Sequence, residues 1–348
     1  MIRYKGTQCK TTTGKSYRFC TIMFINNTPP RLSTMRTMGG YLFWAGGLVK
    51  YNKPHLSVDA QIRQLQQRGM LIDDHALASH YLQHLNYYRL AGYWLPFEAD
   101  HTTHQFKQDT TFAQILSLYV FDRQLRLLVM DAIERIEVSV RTQWAYQMSN
   151  KYGTHPHLER RLFKKKWWYA ENLQSLQKEI RRSKEPFIYH LKSKYDEDLP
   201  PIWATVEIMT LGQLSKWIAN MRHGQDRNAI ARQYDMDEIN LVSFLHHLTT
   251  VRNICAHHSR LWNREFTFTF KIPRKRPADL LSVFNLQASR KIYNTLVMSA
   301  WLMDKACPEN HFRQHLVDLL KQHSIDEKAM GFPKQWRELD FWKTGETV

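Results

Sequence analysis

Apolar residues recur at helical spacing along most of the chain from about residue 53 onward, and the polar positions between them carry helix starts and stops. Ser57 suits an N-cap, with Asp59 in the first turn, Val58, Ile62 and Leu65 on one face, and Gly69 placed to end the helix. A second helix is predicted from Asp73 and Asp74, carrying Leu77, Tyr81, Leu85 and Tyr88 at intervals of three or four. The strongest pattern runs from 111 to about 148. There Leu125, Val129, Ala132, Ile136 and Val140 make one stripe with Asp122, Arg126, Glu134 and Arg141 off it, and neither Gly nor Pro intervenes. At ~1.5 Å per residue that is a rod of over ~50 Å, long enough to be the spine of a bundle.

Further along, Gly153 and Pro156 mark a loop, 164–182 reads as a basic helix, and Pro186 and Pro200-Pro201 punctuate the passage to 203–221. A helix over 237–262 would turn Leu241, Phe244, Leu245, Leu248, Val251 and Cys255 inward. Helices over 278–305 and 310–323 complete the pattern. Only Phe266-Thr267-Phe268-Thr269-Phe270 alternates with period two, which predicts at most a hairpin or an edge strand. The fold class is mainly α: a helical bundle with additional N-terminal helices and at most a small β element.

The first fifty residues break the pattern. They are Thr- and Gly-rich, contain eight Lys or Arg and no acid, and show no sustained period, so 1–50 is expected to be a basic extension, either a disordered arm or upstream sequence before a true start at Met35 or Met38. A helical domain is expected over 51–305 and a helical tail over 306–348. The net charge of +17 over 348 residues invites a nucleic-acid partner, with +8 in the extension and +9 in the rest. Cys9, Cys20, Cys255 and Cys307 include no C-x-x-C pair, which supports neither a zinc ribbon nor a disulfide framework. No apolar run reaches the length of a membrane span, and a cytoplasmic protein is expected.

The chemistry concentrates at residues 252–263, R-N-I-C-A-H-H-S-R-L-W-N. Cleavage of RNA by its own 2′-OH needs a proton taken from that hydroxyl, a proton given to the leaving 5′-oxygen and charge stabilised on the phosphoryl oxygens. The His257 imidazole suits the first tasks and the Arg252 fork the last, while Asn253, one turn before His257, can orient the ring or hold a phosphate oxygen. The pattern calls for no metal and no organic cofactor, and the remaining histidines, His246-His247 included, lack partners at ligand spacing. Five residues of helix set Arg252 and His257 about 140° apart, so they converge only through the length of Arg or a frayed helix end. The spacing also fits a plain surface ion-pair residue and a helix-end cap. One histidine falls short of both a base and an acid, so a two-fold dimer that pairs two copies of this segment is part of the expected mechanism.

RNA contacts are expected from His258, Arg260, Trp262 and Arg264 around the motif, with Trp262 stacking on a base, and from Lys164, Lys165, Lys166, Arg181 and Arg182, where Trp167-Trp168-Tyr169 interleaves aromatic rings with charge. Asp122 and Arg126 are spaced to pair along one helix face and are candidates to steer Arg252.

Taken together these segments resemble the Abi family of bacterial abortive-infection proteins, in its AbiD/AbiF group within the HEPN superfamily. The resemblance covers roughly 52–305. It is carried by Lys53-Pro54-His55-Leu56, by Asn86-Tyr87-Tyr88-Arg89-Leu90 with Gly92-Tyr93-Trp94, by Tyr119 to Arg126 with Glu134, Glu137 and Arg141, and by Val251-Arg252-Asn253 to His257 with Arg260-Leu261-Trp262-Asn263. It implies a HEPN-type helical bundle, metal-independent RNase activity at Arg252, Asn253 and His257, and a homodimer with a composite site, used in phage defence. A competing class keeps the fold without cleavage: a module that binds RNA, such as a structured regulatory noncoding RNA, or acts as an antitoxin. A DNA-binding regulator is weaker, since no helix-turn-helix pattern is present.

Overall fold

One helix organises the larger part of the molecule. In the computed structural model, α4 Phe112–Tyr152 runs unbroken for 41 residues, and the predicted stripe Leu125, Val129, Ala132, Ile136 and Val140 is wholly buried. The structure describes residues 53–343, together with the backbone of a two-residue pairing of β1 Thr37–Met38 with β2 Tyr41–Leu42. The expectation for 1–50 therefore lies almost entirely outside the described residues.

The chain divides into two compact units, Met1–Phe112 and Ala113–Val348. In the first, α1 Val58–Gln67 is capped by Ser57, whose hydroxyl accepts the Ala60 N–H, and it ends before Gly69 at φ +89°. α2 His75–His84 is capped by Asp74, and α3 Tyr87–Trp94 by Asn86. The predicted stripe of Leu77, Tyr81, Leu85 and Tyr88 is corrected here: the chain breaks at Leu85, Ala78 and Leu82 face inward, and Leu77 and Tyr88 are exposed. Asn86 explains the break, because its side chain accepts the Tyr88 N–H and starts a new helix. β3 Glu98–Asp100 pairs antiparallel with β4 Gln105–Phe106.

In the second unit, α5 Lys166–Arg182 and α6 Pro186–Lys194 follow α4. The passage predicted over 203–221 resolves into α7 Ile202–Thr205 and α8 Leu211–Asn220, the latter begun by a reciprocal cap between Thr210 and Gln213. α9 Gly224–Ala231 and α10 Glu238–Ala256 come next, with α10 turning the six predicted residues inward. α8 packs between α5 and α10. Contacts along α4 run in reverse order against this later segment: Asp122 meets Leu261, Ser139 meets Tyr234 and Tyr152 meets Asp226. The two stretches are thus antiparallel.

Two further expectations change. The helix predicted over 278–305 is α11 Tyr293–Ala306, preceded by irregular chain in which Asn285 accepts the Gln287 and Ala288 N–H groups and bends the backbone out of helix. From Tyr293 to Met303 every residue of α11 is buried. Phe266 to Phe270 is not a strand. Its Phe266, Phe268 and Phe270 rings gather around His247 instead, and the Phe268 carbonyl lies 3.1 Å from that ring's Nδ1. After α12 Phe312–Gln322, His323 bridges Ser117 and Gln124 of α4, and Phe332, Trp336 and Trp342 form one aromatic cluster, with Phe332 and Trp342 against Tyr293. Among the described residues the architecture is mainly α.

Candidate active site

Residues 252–264 occupy the end of α10 and the turn beyond it. The helix predicted to reach 262 stops at Ala256, with His257 as its C-cap. His258 adopts φ +56°, its N–H donates to the Cys255 carbonyl at 3.0 Å and the Ser259 N–H donates to the Ile254 carbonyl at 2.9 Å. Those two bonds close a Schellman motif with His258 in the left-handed position usually held by Gly, one that His tolerates better than most residues. His257 stays tied to the helix through its N–H, which donates to the Asn253 carbonyl at 3.0 Å, and its side chain is exposed.

On either side of the exposed His257 the chain is fixed. Val251 and Cys255 are buried, and burial pushes the Cys255 thiol up to about 12, which makes it an inert packing group inside the motif. Asp122, 0% exposed, accepts the Leu261 N–H at 3.1 Å and the Trp262 N–H at 2.6 Å and pairs with Arg126 one turn along α4. The structure thus sets Asp122 under the loop that follows the motif, where it holds backbone, with Arg126 paired to it. Trp262 is 4% exposed, so the expectation that it stacks on a base is corrected: its ring is part of the core.

Arg252 is half-buried and Asn253 and His257 are exposed. The Arg252 guanidinium lies 3.5 Å from the Asn253 amide oxygen, a contact too long to immobilise either. Its electrostatic neighbour is Glu137 of α4, a half-buried carboxylate paired with Arg141, which in turn donates to the Met209 carbonyl. Burial raises the Glu137 pKa, and Arg141 and then Arg252 work against that rise. Motif reasoning passed over Glu137 as a site group; the legible signal was its four-residue spacing from Arg141. Beyond the helix, Arg264 donates to the Arg260 carbonyl at 2.7 Å, and Lys291 donates to Asn263 at 2.8 Å, an unforeseen tie between the site loop and the approach to α11.

The lysine and arginine patches are placed elsewhere. Lys164, Lys165 and Lys166 lie at the start of α5 and Arg181 and Arg182 at its end, about 25 Å apart over 17 residues, and α8 stands between α5 and α10. Positive charge at the start of α5 opposes the helix dipole, whereas at the end it complements it. Trp167 is 63% exposed, Trp168 lies under the Lys165 ammonium at 4.0 Å, and Tyr169 is buried. His247 is a core residue, its pKa pushed down to about 4 by burial, with Thr295 on its Nε2 at 2.9 Å. Among the described residues no three His, Cys, Asp or Glu side chains are grouped as a metal ion requires, and no helix is long and apolar enough to cross a membrane.

A family model described as Abi-like protein matches residues 80–263, just over half of the chain, from α2 through Asn263. The chain belongs to the Abi-like protein family. Among curated proteins and solved structures nothing matches. In this Abi-like protein the matched segment ends where the site loop ends, so it takes in Asp122, Glu137, Arg141 and the whole of Arg252 to Asn263.

Proposed function

We propose that this Abi-like protein is a metal-independent endoribonuclease of bacterial phage defence, of the HEPN type, acting as a homodimer. The observation that carries the reading is the contrast at the end of α10. Asn253 and His257 reach solvent and Arg252 is half exposed, while Val251, Cys255, Leu261 and Trp262 beside them are buried. A histidine kept for packing would sit as His247 does, buried and hydrogen-bonded.

Arg252 clamps the scissile phosphate, His257 moves the proton of the attacking 2′-OH, and Asn253 orients the ring or a phosphate oxygen. The products carry a 2′,3′-cyclic phosphate. A second copy supplies the other histidine, so that one acts as base and one as acid. Glu137 opposes the charge of Arg252 and restricts where its guanidinium points. His258, Arg260 and Arg264 add positive charge around the cut, and Lys164, Lys165, Lys166, Arg181 and Arg182 hold more distant phosphates. The test is turnover of end-labelled RNA in EDTA. Wild type is expected to cut, and Arg252→Ala and His257→Ala are expected to fold normally and lose cleavage by on the order of 10²–10⁴-fold. Equal cleavage by His257→Ala would end the proposal.

A further inference from the structure

A cavity of about 320 Å³ lies at the far end of α4 from the motif, walled by the loop after α4, the end of α6 and the start of α7. Tyr152, the last residue of α4, is 15 residues past Glu137, about 22 Å along the axis, so this is a second location and no extension of the Arg252 site. The volume suits a small ligand or one unit of a polymer.

Its lining combines three properties. Trp203 and Tyr195, each 50% exposed, present large aromatic rings that the fold has left unburied. Lys192 and Glu197 supply a donor and an acceptor from the same wall. His155 is committed through Nδ1 to the Thr154 hydroxyl at 2.8 Å, and its Nε2 is buried with no hydrogen-bond partner among the described residues. A buried nitrogen left in that state costs ~1–3 kcal/mol, a cost that a ligand removes if the ring swings to meet it.

Charge around the cavity is divided between a basic and an acidic side. The Lys192 ammonium donates to the Ile180 carbonyl at 2.9 Å, which ties the cavity wall to the last turn of α5, the turn that carries Arg181 and Arg182, the latter paired with Glu179. Lys184 and Lys194 are exposed on the α5 side and Asp196, Glu197 and Asp198 on the other, so an anionic group fits only the α5 side, and an aliphatic ligand uses none of these polar groups. A flat heterocycle with donors and acceptors on its edge, attached to an anionic backbone, meets each property.

We propose that this cavity binds one unpaired base of single-stranded RNA, stacked on Trp203 or Tyr195, with its edge on His155 and Glu197 and the adjoining phosphates on Arg181 and Arg182. The inference rests on RNA being the ligand of the Arg252 site. It makes that substrate a strand long enough to reach from the cut to the far end of α4. A base already paired in a duplex cannot enter.

The experiment uses the full chain carrying His257→Ala, so that RNA persists, and measures binding of a short unstructured RNA and of a duplex of equal length. Trp203→Ala and Tyr195→Ala are expected to weaken the single strand about tenfold, the scale of one lost stacking contact, and to leave the duplex unchanged; Trp203→Phe keeps a ring and retains most of the affinity. Single-strand binding unaltered in both alanine variants, or absent from the parent, would overturn the proposal. So would saturable binding of a nucleoside monophosphate, lost in Trp203→Ala, alongside unaltered oligonucleotide binding, since the ligand would then be a free nucleotide. Wild type that binds in this way yet never cuts would sink the nuclease reading alone, whereas cutting that Trp203→Ala leaves untouched would sink only the cavity's role.

Discussion

Asp122 and Trp262 lie 140 residues apart in sequence, and the buried Asp122 carboxylate accepts the Trp262 backbone N–H at 2.6 Å. Through this bond and its companion to Leu261, the central helix holds the chain immediately after the proposed active site. Asp122→Ala removes the carboxylate that pairs with the buried Arg126 and accepts two backbone N–H groups, and it is expected to cost about 3–5 kcal/mol in urea unfolding. Replacing Arg126 by Met in the same chain should recover part of that loss. A double variant less stable than Asp122→Ala would contradict the pairing.

Glu137 contributes differently. It acts on the charge environment of Arg252, so Glu137→Gln is expected to lower the cleavage rate by on the order of ten- to a hundredfold with little change in RNA affinity. Single-turnover kinetics on labelled RNA separate the two, and an unchanged rate would remove Glu137 from the mechanism.

His258 sits at φ +56° as the residue that ends α10. His258→Gly should relieve the left-handed strain and raise stability by about 0.5–1 kcal/mol by urea unfolding, with helix content unchanged. A loss of stability would show that the side chain holds the turn by contacts of its own.

Burial holds His157 and His247 neutral, with pKa values lowered from 6.5 to about 3 and about 4. The unfolded chain therefore binds more protons than the folded one below pH 6.5. Their contribution to stability is complete above that pH and is lost as pH falls, down to about 4 for His247 and about 3 for His157, with at most ~1.4 kcal/mol per pH unit from each. Unfolding free energies measured at several pH values should show this slope, and His247→Gln should flatten it between pH 6.5 and 4.

Much of this organisation was legible because helices announce themselves locally. Ser57, Asp74 and the α4 stripe needed only their own neighbourhoods to be read. What the sequence concealed came from partners far along the chain or from backbone turns of unusual residue. Phe266 to Phe270 alternates as a strand would, yet its rings answer to His247 on α10. The end of α10 depends on a histidine doing what Gly usually does, and the burial of Trp262 on a carboxylate 140 residues away. Asp122 and Arg126 were correctly paired by spacing, but what they hold lies across the fold. The cavity beside Trp203 had no linear signature, because its walls come from three separate elements.

The chemistry of the cut ends tests the central claim most directly. RNA incubated with wild-type protein in EDTA and examined by mass spectrometry should carry 2′,3′-cyclic phosphates at new 3′ ends, and the same incubation with His257→Ala should leave the RNA whole. New ends bearing a 3′-hydroxyl, or cyclic phosphates made equally well without His257, would contradict an imidazole and a guanidinium at the end of α10 as the cleaving groups.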